Sequence, residues 1–99
     1  MAEINSSFYR PHRPATYRRW AETVPDGFTF AVKMPREITH RRRLVDTTAL
    51  LDAFLDQILR LGDRLGPVLI QLPPSFNFER TYVGAFFAEL RARFSGGVV

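Results

Sequence analysis

Polar and apolar positions alternate from the first residues onward. Ala2-Glu3-Ile4-Asn5 predicts a short strand, and Ser6-Ser7-Phe8-Tyr9 carries it into a loop that ends at Pro11. Pro14 suits a first helical turn, and Tyr17, Trp20, Ala21 and Val24 then line one face of a helix, which Pro25-Asp26-Gly27 breaks. Alternation returns in Phe28-Thr29-Phe30-Ala31-Val32-Lys33-Met34, where aromatic and β-branched residues favour a strand before Pro35. Arg36 to Asp46 has no apolar period and predicts a long loop with room for a helical turn.

Helical spacing resumes at Leu51, Phe54, Leu55, Ile58, Leu59 and Leu65, with Asp46 or Thr47 as cap and Gly62 near the stop. After Gly66-Pro67, the run Val68-Leu69-Ile70-Gln71-Leu72 predicts a buried strand closed by Pro73-Pro74. Asn77 would cap a last helix from about Phe78 to Phe94, with Tyr82, Val83, Phe86, Phe87, Leu90 and Phe94 as its stripe and Gly84 weakening it slightly. Strands separated by helices imply a parallel sheet, so the fold class is α/β, with three parallel βα units in one domain over residues 1–99. Gly96-Gly97 followed by Val98-Val99 announces a further strand, so both ends are expected to be cut within a larger sheet.

Parity within each strand separates two faces, since side chains alternate and apolar ones must meet the helices. Ile4, Val32, Met34, Val68, Ile70 and Leu72 fall on the helix side, leaving Glu3, Asn5, Lys33 and Gln71 on the other. A polar set near the carboxyl ends of parallel strands is where α/β sheets and barrels build ligand sites. Glu3 as acid or base and Lys33 as electrostatic stabiliser or amine nucleophile form the candidate catalytic pair, with Asn5 and Gln71 as orienting ligand-binding groups. The structural alternative is a buried Glu3–Lys33 ion pair; such pairs stabilise weakly, which favours function. Tyr9 either donates a hydrogen bond to ligand, the preferred reading, or packs beside Phe8, and Phe8 is expected to be core. His40 is a general base or anion donor at the pocket mouth, or a solvated loop histidine.

Composition narrows the classes. The chain has 14 basic and 10 acidic residues, and nine basic against three acidic lie between Arg10 and Arg43. Arg36 with Arg41-Arg42-Arg43 could hold phosphate or a nucleic-acid backbone, but no base-reading motif or interleaved exposed aromatic accompanies them, so a solvated basic loop is the preferred reading. The rival function is a non-catalytic module binding nucleic acid or another polyanion. Cysteine is absent, which removes disulfides and thiolate chemistry. Glu3 and His40 are too few to predict a metal, no cofactor is specified, and no phosphate-binding Gly-rich loop or nucleophile elbow occurs. With no apolar run of membrane length and no secretory pattern at the start, a cytoplasmic chain is expected.

Glu3-Ile4-Asn5-Ser6-Ser7-Phe8-Tyr9, Trp20-Ala21-Glu22, Phe30-Ala31-Val32-Lys33-Met34-Pro35, Ile38-Thr39-His40 and Leu65 through Phe76 closely resemble the YecE-like family, the domain of unknown function numbered 72. That resemblance implies a (β/α)8 TIM barrel, sometimes called sugar-isomerase-related, without an established reaction. The three strands would be its second, third and fourth, since the family's Gly-Thr-Ser-Gly-Trp-like first strand does not precede Glu3 and its acidic-aromatic-Arg strand does not follow Val99. Barrels run to about 250 residues, so the chain is expected to be a truncated barrel segment whose own enzymatic activity is open. Its ligand is expected to be a small polar, sugar-like or phosphorylated molecule. Bare sheet edges predict self-association.

Overall fold

A computed structural model of the chain describes residues 1–74 and 80–99. The element order alternates β1 (Ala2–Ile4), α1 (Pro14–Thr23), β2 (Phe30–Lys33), α2 (Thr48–Ile58), β3 (Leu65–Leu69) and α3 (Arg80–Arg93). The strands form one parallel sheet in the order β1-β2-β3. This is the α/β class expected, three parallel βα units of the kind found in TIM-type barrels. Beyond β3, Val98 bridges Val68 in parallel, and Val99 N donates to Val68 O at 3.0 Å. The β-branched pair after Gly96-Gly97 therefore adds to the free edge of β3.

Parity sorts the faces as expected within the strands, while Leu72, expected on the helix side, lies beyond β3 and is exposed. Ile4, Val32, Met34 and Val68 are buried in a single core with Tyr17 of α1, Leu51, Phe54, Leu55 and Ile58 of α2, and Val83, Phe86 and Leu90 of α3. Of the opposite parity, Glu3, Asn5 and Gln71 are exposed and Lys33 and Leu69 half-buried, while the small Ala31 is buried. The helix stripes are narrower than spacing suggests: Leu59, Tyr82 and Phe87 lie on the surface. Asn77 and Phe78, expected at the start of the last helix, lie outside the described residues.

The third strand begins earlier than its apolar run. It spans Leu65–Leu69 rather than residues 68–72, so Leu65 belongs to β3 and Gln71 and the exposed Leu72 follow it. Phe30 pairs with Leu65 but Val32 with Val68, so β3 carries one extra residue at a bulge. Gly66-Pro67 sits inside that bulge. A Cβ at Gly66 would stand 3.0 Å from Phe30 O, so glycine permits the close approach of the two strands. Proline, which cannot donate to a ladder, is tolerated where pairing is interrupted.

The expected loop after β2 contains a π-helical turn, Glu37–Arg41. It returns through Arg43, Leu44 and Asp46 at φ of 50°, 67° and 53°, a region costly for side chains other than glycine. Leu44 is buried, and its N–H donates to Ile38 O at 3.0 Å, which holds the return in place. No helix among the described residues is long and apolar enough to cross a membrane.

Candidate functional site

The carboxyl ends of β1 and β2 are tied together by Ser7. After Ile4 the chain turns through a short 3₁₀ segment, Ser6–Phe8, which buries the Ser7 side chain. Its hydroxyl lies 2.7 Å from Lys33 O and 3.2 Å from Ile4 O and donates across the two strand ends. This anchoring sets Phe8, only 9% exposed, at the mouth between the strands.

Three of the six site candidates converge there. Lys33 Nζ lies 4.4 Å from the centre of the Phe8 ring, a cation–π contact. The rings of Tyr9 and His40 each meet Phe8 edge to face at 5.1 Å. His40 Nδ1 shares a hydrogen bond of 2.8 Å with the buried Thr39 Oγ1, which orients the imidazole. An ammonium, an imidazole and a phenol thus surround one aromatic ring on a shelf above the parallel strands. These groups can donate hydrogen bonds, stabilise developing negative charge and exchange protons.

Glu3, Asn5 and Gln71 stand apart from this trio: Glu3 pairs in register with Ala31, two residues and about 7 Å along the strand before Lys33. Gln71 lies two residues beyond Leu69, the partner of Lys33. Among the described residues no hydrogen bond or ion pair joins Glu3, Asn5 or Gln71 to Lys33. The buried Glu3–Lys33 ion pair considered as a scaffold is therefore absent, and Glu3 is exposed.

Phe8 is the residue whose part sequence reasoning missed. Read as core, it is buried, yet it also forms the surface on which the three polar candidates meet. Its position directly after the Ser-Ser pair at a strand end was the available signal. A cavity of about 220 Å³ opens beside it, lined by Phe8, Tyr9, Arg10, Arg36, Glu37 and Arg41 among others. The Arg36 guanidinium lies 5.5 Å from the centre of the Tyr9 ring.

The basic run is partly neutralised where it stands. Arg41 and Arg42 reach Glu37 at 3.4 and 3.8 Å, and Arg42 reaches Asp46 at 4.0 Å. His12 stays apart, packed edge to face against Tyr17 and Trp20 with Nε2 2.7 Å from Ser6 Oγ. Burial, and then the nearby Arg10 charge, push its pKa below the usual histidine value. Among the described residues no three His, Cys, Asp or Glu side chains gather as a metal site would require.

The comparisons with known proteins bear on the same strand ends. The family model described as "Protein of unknown function DUF72" matches residues 1–98. The UPF0759 protein YecE of Escherichia coli strain K12 is 32% identical over 97 residues, covering 97% of this chain and 36% of that protein. The protein of the same name from Escherichia coli O157:H7 matches to the same extent. The chain thus spans about a third of the length of these curated relatives. No solved structure gives a significant match. Because the family match takes in all three strands and the loops that assemble the Phe8 shelf, the chain belongs to the DUF72 family.

Proposed function

We propose that this chain carries part of a small-molecule site at the carboxyl ends of the strands of a (β/α)8 barrel, acting on a small polar, sugar-like or anionic ligand in the cytoplasm. The observation that carries the reading is the convergence of Lys33, Tyr9 and His40 on Phe8 above β1 and β2. In parallel α/β folds this end of the sheet is where ligands bind. Lys33 supplies positive charge or an amine nucleophile, and Tyr9 and His40 supply donors. Glu3, lower on the same sheet face, acts as acid or base on a ligand that reaches down to it, with Asn5 and Gln71 orienting that ligand.

The test is Lys33→Met and Glu3→Gln, titrated calorimetrically with a panel of free and phosphorylated sugars. Binding weakened by about tenfold or more in Lys33→Met, with thermal unfolding little changed, is the expected result. Unchanged binding with lost stability would mean that the lysine is scaffold. If the amine attacks a carbonyl, the imine that forms with loss of water is reduced by borohydride, leaving an adduct at Lys33 that Lys33→Met lacks.

A further inference from the structure

We infer that the cavity between the loops following β1 and β2 binds the phosphate group of a small phosphate monoester, with Arg10 and Arg36 as its ligands. This deepens the strand-end reading and rests on it, because the cavity shares Phe8 with the Lys33 shelf and would hold one end of the same ligand.

Three features carry the assignment. The first is charge: Arg10, Arg36 and Arg41 line the cavity against a single carboxylate, Glu37. Glu37 is already engaged by Arg41 at 3.4 Å and Arg42 at 3.8 Å, so its charge is spent on those two arginines. Arg10 and Arg36 make no ion pair among the described residues. Two arginines from different loops lining one space suit an oxyanion better than a neutral polyol, since each guanidinium can give two parallel hydrogen bonds.

The second is orientation. Arg36 is half-buried and packs over the exposed Tyr9 ring, so its guanidinium is restrained before ligand arrives. The third is size. At about 220 Å³ the cavity falls below the roughly 300–1,000 Å³ that encloses a drug-sized ligand, so it accommodates a terminal group. The remainder of the molecule then extends past Phe8 toward Lys33. The wall that carries Glu37 and Arg41 belongs to the loop whose return is held by the buried Leu44 and its N–H bond to Ile38 O.

The experiment titrates the 99-residue chain with glucose 6-phosphate, glucose and inorganic phosphate at a constant ionic strength of about 0.15 M. Arg10→Met, Arg36→Met and Arg36→Lys are compared with Arg19→Met, which changes an exposed arginine on α1 outside the cavity. Expected are saturable binding of the phosphate ester, about tenfold weaker in Arg10→Met and Arg36→Met, weaker also in Arg36→Lys, and within about twofold of the unaltered chain in Arg19→Met. Inorganic phosphate should compete. Arg10 is exposed, so its variant reads binding even if Arg36→Met perturbs folding.

Absence of phosphate-ester binding overturns the inference, as does an equal loss in Arg19→Met. Glucose that binds as tightly as its phosphate, and is lost in Lys33→Met, leaves the strand-end reading standing and removes the anion pocket. Phosphate-ester binding that depends on Arg10 and survives Lys33→Met keeps the pocket and removes the role of Lys33.

Discussion

Tyr17 brings a phenol into the core with no exposed surface, and among the described residues its hydroxyl has no partner at hydrogen-bond geometry. Burial pushes its pKa up to about 12, with the nearby Ser7 hydroxyl offsetting part of the rise. An unfolded tyrosine loses its proton near 10 while the folded one keeps it, so the folded state binds more protons between about pH 10 and 12. The stability it contributes is complete below pH 10 and is lost as pH rises toward 12. His12 acts at the other end of the scale: its folded pKa is lowered, so the unfolded chain takes up the proton first and stability falls as pH drops below about 6.5. Tyr17→Phe should flatten the alkaline limb and, by removing an unpartnered buried hydroxyl, raise stability at pH 7 by about 1 kcal/mol. Chemical denaturation at pH 7, 10 and 11.5 checks both. An unchanged alkaline limb in the phenylalanine variant would assign that limb to other groups.

At the scale of elements, two glycines with open space around them separate backbone conformation from packing. Gly62, between α2 and β3, sits at φ 56° and ψ −128°, and a Cβ there would meet nothing within 4 Å. Gly84 lies within α3 and is equally open. Gly62→Ala should cost about 1–3 kcal/mol through backbone strain alone, whereas Gly84→Ala should stabilise by about 0.5–1 kcal/mol by favouring helix. Paired urea titrations of the two variants measure the contrast, and equal effects would contradict it. Alternation was readable wherever a strand had one buried row, as in Val32 and Met34 against Lys33. Gly66-Pro67 marks only the start of a strand in the sequence, because its use depends on a neighbour: the approach of Phe30 turns that dipeptide into a bulge inside β3. For the same reason the candidate site was half legible. Strand parity found Lys33, but the shelf depends on how Ser7 folds the loop after β1 onto the end of β2, a contact across 26 residues that has no local pattern.

For the molecule as a whole, the helices cover one face of the sheet and leave the other with Glu3 and Gln71 exposed and Lys33 and Leu69 half-buried. Among the described residues β1 pairs only with β2, so its outer N–H and C=O groups have no partner strand. A three-residue edge offers few hydrogen bonds, and short edges are one way proteins blunt unwanted pairing. Edge pairing alone is therefore a weak drive. The apolar surface of the half-buried Leu69 adds a term that grows when two such faces meet. We expect the 99-residue chain to self-associate, with its weight-average sedimentation coefficient climbing as concentration rises and the climb persisting at about 0.5 M salt, where surface charge is screened. Leu69→Lys should reduce the climb by placing like charges across the shared face. A single monomer boundary at every concentration would show that the open face is stable in water unaided.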